Sequence, residues 1–172
     1  MNSVFINRII RACKLDVSVY EEVEADKSAT LQAALVVVLS SLAAGVGALS
    51  LGASNFLMAP ILSLISWYIW AYLIYIIGVK IFPETNTKAD HGELLRTIGF
   101  SSAPGLIRVF GFTPDLMTIT FLGGGIWMLI AMVIAVRQAL DYESTWRAIG
   151  VVVIGFLVQA IILIILLRIF GP

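Results

Sequence analysis

The chain has 172 residues with acidic and basic side chains in equal number; 60% of its residues are hydrophobic and only 13% are charged. A mean hydropathy of +1.00 is more apolar surface than a domain of this length can hide from water, so composition excludes a water-soluble globular protein and points to the bilayer as solvent. Zero net charge, a single cysteine (Cys13) and a single histidine (His91) argue against nucleic acid as partner, a disulfide framework and a multi-histidine metal site.

The first fifteen residues are charged throughout, so they do not form the continuous apolar core of a cleavable signal peptide. Set on a helix at about 100° per residue, Phe5, Ile6, Ile9, Ile10, Ala12 and Cys13 share one face, while Asn7, Arg8, Arg11 and Lys14 take the other. Such a basic amphipathic helix is expected to lie in the interface of an anionic leaflet. Phe5, Arg8, Ile9, Ile10, Arg11 and Lys14 are its expected membrane-surface contacts. A second short helix should follow, with Ser18 and Glu21 spaced as a capping box. Its "EEVEAD" would stand off an anionic surface. Residues 1–30 therefore read as a cytoplasmic amphipathic and acidic arm, and residues 31–170 as a transmembrane domain.

From Ser28 to Val79 there is no charged residue. A span needs about 20 apolar residues, so this run holds two, over about 31–50 and 56–79, with a turn at "LGASN" and Pro60 in the first turn of the second. Two further spans are expected over about 116–137 and 147–169, joined by the polar "RQALDYESTWR". Between these pairs lies "LLRTIGFSSAPGLIRVFGF", mostly apolar yet carrying Arg96, Arg108 and a Pro104-Gly105 break. Asp90 and Glu93 have capping-box spacing, so a helix should start near His91. At about 1.5 Å per residue, it reaches far enough by Phe112 to cross a hydrocarbon core of about 30 Å. Arg96 and Arg108 would then snorkel to the two rims.

Charge gives an independent test. With five spans and a cytoplasmic N-terminus, Arg8, Arg11, Lys14, Lys27, Lys80, Lys88, Arg96, Arg137 and Arg147 are inside, and only Arg108 and Arg168 are outside. That asymmetry is what the positive-inside rule requires, and a four-span arrangement weakens it. The expected fold is all-α, with five transmembrane helices behind an interfacial helix, N-terminus cytoplasmic and C-terminus outside.

Chemistry-bearing residues are few. No serine–histidine pair or converging carboxylates are expected at membrane depth, so the chain reads as non-enzymatic and free of cofactors. Ser101, Ser102, Pro104, Arg108 and Gln159 are the candidates for an intramembrane polar site. A broken third helix exposes backbone carbonyls, as transporters do at their binding sites. Arg108 would bind an anion or lipid headgroup if it faces a cavity. The competing readings are a proline kink satisfied by neighbours, an interhelical hydrogen bond at Gln159, and rim snorkelling at Arg108. The glycine triplet 123–125 and "SSLAAGVGA" offer small faces for close helix packing or self-association.

"YEEVEAD", "GELLRTIGFSSAPGLIRVFGF" and "WMLIAMVIAVRQALDY", in this order, resemble bacterial-type members of the YIP family, the Ypt/Rab-interacting membrane proteins. The resemblance covers about residues 5 to 165. It implies five spans, a cytoplasmic N-terminus and a place in the bacterial inner membrane. It also implies an organiser or adaptor role, since eukaryotic relatives are implicated in vesicle trafficking and bind prenylated GTPases. The aspartate-leucine-tyrosine-glycine-proline signature of those relatives is absent here. The expected partners are the bilayer, anionic headgroups at the N-terminal helix, a cytoplasmic protein and further copies of the chain; the alternative function is a small channel, carrier or lipid-moving transporter built on the broken third span.

Overall fold

The computed structural model describes residues 3–49 and 58–170, apart from the side chains of residues 163, 166, 167 and 170. The "LGASN" turn lies outside the described residues. Helix α1 (Ser3–Cys13) ends at Leu15, whose φ of 60° is left-handed. The Asp16 N–H then reaches back to the Arg11 carbonyl at 3.1 Å, closing the helix as a Schellman-type turn. Asp16 in turn caps α2 (Val17–Ala25), its carboxylate accepting from the Ser18 N–H at 3.0 Å. The expected cap at Ser18 is thus replaced by one two residues earlier. The Ser18 hydroxyl donates to the same carboxylate at 2.7 Å and is not left to act as the cap.

Helix α3 (Ala29–Gly47) buries Ala29, Ala33, Val36, Ser40, Ala43 and Gly47, alternate steps of four and three that place a small-residue stripe on one face. Helix α4 (Met58–Tyr75) widens into a π-helical turn over Ile76–Ile81. The Tyr142 hydroxyl sits at its end, 3.0 Å from the Gly78 carbonyl and 2.7 Å from that of Phe82. This supplies a donor where the widened turn leaves carbonyls without one.

The third expected span is broken. Helix α5 (His91–Phe100) starts with the capping box that Asp90 and Glu93 predict. It stops at Ser101, and a 3-10 helix (Ala103–Phe110) follows. Pro104 has no N–H, and in a continuous α-helix its ring would collide with the carbonyl of Phe100. The break that Pro104-Gly105 predicts thus divides the segment over 94–112 into two short helices. Helix α6 (Pro114–Ala139) begins with Thr113 as cap and proline at its first position, and ends at a left-handed Asp141 (φ 53°). Helix α7 (Thr145–Phe170) closes the described chain. Among the described residues, four helices are long and apolar enough to cross a membrane: α3, α4 with its π turn, α6, and α7 over Thr145–Ile162.

Close approaches fix how the broken segment sits. A Cβ on Gly99 would fall 2.6 Å from the Ala33 Cβ, one on Gly105 2.2 Å from the Ser40 Oγ, and one on Gly47 1.9 Å from the Arg108 carbonyl oxygen. Residues 99–111 thus run parallel to α3, nearly backbone to backbone. They run antiparallel to α6, with Ser101 beside Met132, Gly105 beside Met128 and Arg108 beside Gly124. The Trp67 indole N–H donates to the Leu95 carbonyl at 3.0 Å, tying α4 to the same segment. Every residue from Leu94 to Ser101 is buried, although this is among the less apolar stretches of the chain. The broken segment is the centre of the bundle, and α7 packs outside it on α4 through Gly155, Trp70 and Ile74.

The arm is part of this body. Val19, Tyr20 and Val23 of α2 are wholly buried, the two valines each contributing about 1.5–3 kcal/mol of hydrophobic stabilisation. Arg96, expected to snorkel, instead lies buried and donates to the Val23 carbonyl at 2.9 Å and to the Glu24 carbonyl. It satisfies carbonyls of the last turn of α2 and places a cation at the negative end of that helix.

Candidate functional site: a polar cavity at the broken helix

A cavity of about 310 Å³ opens where the segment breaks. Helix α3 brings Ser40 and Ser41 to it, α4 brings Ser63, Ser66, Trp67 and Trp70, and the broken segment brings Ile98, Ser102 and Arg108. Met128 and Met132 of α6 and Phe156 and Gln159 of α7 complete the wall. Ser66, Phe156 and Gln159 are exposed, so the mouth lies on the α4 and α7 side of the bundle, facing outward.

The local folding decides which of these groups are available. Ser41 and Ser63 donate to the carbonyls of Val38 and Pro60, each at 2.8 Å, so their protons are committed within their own helices. The hydroxyls of Ser40, Ser66 and Ser102 have no hydrogen-bond partner among the described residues. Trp70 is 7% exposed, and its indole N–H is buried without an acceptor among the described residues. The Arg108 Nε is likewise buried without an acceptor.

The Arg108 side chain lies against Gly124 and Gly125 of α6. An added Cβ at Gly124 would be 3.6 Å from its Nε, and one at Gly125 3.7 Å from its Nη2. Those glycines lie about 15 Å into α6 at the usual rise per residue, so the side chain points inward along the groove the glycines leave. The guanidinium also lies 5.4 Å from the Phe121 ring centroid, an attraction of about 0.5–2 kcal/mol that leaves the Nε proton without an acceptor. No carboxylate among the described residues lines the cavity.

Of the five residues singled out for an intramembrane site, the structure brings together Ser102, Arg108 and Gln159. Ser101 is packed away, donating to the Ile98 carbonyl at 2.7 Å, and Pro104 is buried at the start of the 3-10 helix. Sequence reasoning missed the serines of α4 and Trp70. Ser63, Ser66 and Trp70 recur at steps of three and four, which was the available signal.

The six surface-contact candidates divide. Phe5 and Arg8 are buried, Ile9 and Arg11 half-buried, and Ile10 and Lys14 exposed. Arg8 donates to Glu22 and Asp26 at 2.8 Å each and to Gln32 at 2.9 Å, and Arg11 pairs with Asp16 and Glu22. The acidic run thus neutralises the basic helix across a helical hairpin. The Arg11 guanidinium and the Ser18 hydroxyl hold the Asp16 carboxyl down at about 2; hydrogen bonds from Arg8 and Arg11 lower Glu22 as well. Glu24 goes the other way. Burial, with Glu93 and Asp141 nearby, lifts its carboxyl to about 7. Elsewhere, His91 sits edge-on to Tyr68, Tyr72 and Tyr75, at ring separations of 5.0, 5.5 and 6.4 Å. Among the described residues, no group of three or more histidine, cysteine or acidic side chains is placed to hold a metal ion.

The model of the Yip1 domain matches residues 17–167 of the chain. No curated protein and no solved structure matches it.

Proposed function

The chain belongs to the Yip1 domain family, and from that premise we propose a non-enzymatic, five-span integral membrane protein that acts as an organiser or adaptor in the cell membrane. The observation that carries this reading is the contact between Arg96 and the last turn of α2. It makes the arm a fixed platform at one end of the bundle, a surface suited to holding a cytoplasmic partner. Support for the fifth span is the register of residues 91–111, parallel to α3 and antiparallel to α6, together with the charge asymmetry that five spans produce. In this reading, Ile6, Ile10 and Lys14 are the arm's contacts with the inner leaflet.

The cavity favours a second reading, passage of a small solute or lipid through the broken segment. Proteoliposomes loaded for ion flux and for labelled-lipid movement separate the two. The organiser reading expects no flux from folded, oriented protein. Flux that Arg108→Leu and Gln159→Leu abolish would replace it with transport.

A further inference from the structure

We propose that the cavity is a binding site for a phosphate-type oxyanion, with the Arg108 guanidinium as its charge partner and the Trp70 indole N–H and Ser102 hydroxyl as donors beside it. Two buried N–H donors without acceptors among the described residues line one cavity, Arg108 Nε and Trp70 Nε1. A buried donor left unpaired carries the full cost of its desolvation, and a buried cation costs more. Native structures meet that cost with a partner, and this cavity holds no carboxylate among the described residues to serve as one. Its complement is a ligand that is negatively charged and accepts several hydrogen bonds. Arginine presents a planar fork of donors that matches phosphate oxygens, and the indole adds a donor that cannot accept.

The site's setting indicates how such a ligand is held. The apolar wall, Ile98, Met128 and Met132, lowers the local dielectric and strengthens each charge-assisted contact. Residues at the mouth are exposed on the face of α4 and α7 that meets lipid in the membrane-spanning reading. A phosphate on a lipid headgroup would enter sideways with its chains left in the bilayer, and a free phosphate would enter from the aqueous end. Both present the same oxyanion to Arg108. The inference rests on the membrane-spanning reading and not on transport, since a held headgroup serves an organiser equally well.

The test uses the full chain purified in a neutral detergent and three probes: dioctanoyl phosphatidic acid, dioctanoylglycerol and inorganic phosphate, with binding read by native mass spectrometry and by titration. The phosphatidic acid should bind and the dioctanoylglycerol should not. Arg108→Gln should weaken binding roughly tenfold or more, the scale of a hydrogen bond to a charged group, while Arg108→Lys keeps part of it. Trp70→Phe, which keeps a ring and removes the N–H, should weaken it by a smaller factor. Inorganic phosphate that binds alone and displaces the lipid supports the site with a free anion as ligand; lipid that it does not displace supports a headgroup. If Arg108→Gln fails to fold, Ser66→Leu at the exposed mouth should block the lipid probe on an intact bundle. Equal binding of dioctanoylglycerol, unchanged binding in folded Arg108→Gln, or no binding of either phosphate probe to folded wild type would overturn the proposal. Binding without flux leaves the site standing and removes only the transport reading.

Discussion

Arg96 of α5 donates through Nε, at 3.1 Å, and through Nη2 to the backbone carbonyl of Glu24, seventy-two residues earlier in the chain. One buried guanidinium therefore joins the arm to the most buried segment of the bundle. Arg96→Gln should remove this cap without opening the core, at a cost of about 1.5–3 kcal/mol. The check is hydrogen exchange: amides of α1 and α2 should lose protection while those of α6 keep theirs.

The arm should hold within a pH window. Asp16 and Glu22 titrate below their ordinary values in the folded state, so the stability they give is present above the unfolded value. It is lost as pH falls, for Asp16 between 3.8 and about 2. Glu24 has the opposite sign. The folded arm binds its proton more tightly than the unfolded arm, so stability falls as pH rises from 4.5 through about 7. Proteolysis of residues 1–28 should thus be slowest in mildly acidic buffer. Glu24→Gln should remove the loss on the alkaline side only.

The near contact of α3 with the broken segment makes glycine essential where the two pass, as at Gly99 and Gly105. Gly99→Val and Gly105→Val would drive side-chain atoms into Ala33 and Ser40, and each should cost about 1–3 kcal/mol or more, read as a lower Tm in detergent. Gly150→Ala is the control. Its Cβ would meet nothing within 4 Å, and the replacement should leave Tm unchanged or raise it, by up to about 1 kcal/mol in stability.

Tyr142→Phe should loosen the π turn. It removes the only side-chain donor that the described residues offer to the carbonyls of Gly78 and Phe82, at a cost of about 1–2 kcal/mol. Faster amide exchange over residues 76–84, with α3 unchanged, is the expected signature.

What the sequence made legible was local. Asp90 and Glu93 announced the start of α5, Pro104 its break, and charge-free runs the four long apolar helices. The contacts that close over distance were not legible. Arg96 reads as a rim residue because nothing near it in the chain says that the last turn of α2 will lie beside it. Arg8 and Arg11 read as a lipid-facing pair because their partners, Glu22 and Asp26, belong to a different helix with its own periodicity. Arg108 was placed at the outer rim from its position in the segment, whereas its side-chain direction is set by the space at Gly124 and Gly125. The cavity was half visible, in Ser102, Arg108 and Gln159. The serines of α4 were not visible as part of it, because an isolated serine in an apolar run does not say which neighbour it will face.

The most direct test of the account is which side of the membrane the end of the broken segment reaches. Single cysteines at Asn86, Thr113 and Ser144, introduced in a Cys13→Ser background, would be labelled with an impermeant maleimide in intact cells and in inverted vesicles. Five spans require Thr113→Cys to label from outside and the other two only from inside. Labelling of Thr113→Cys on the same side as Asn86→Cys would mean that residues 91–110 enter and leave by one face, and the five-span account would fall.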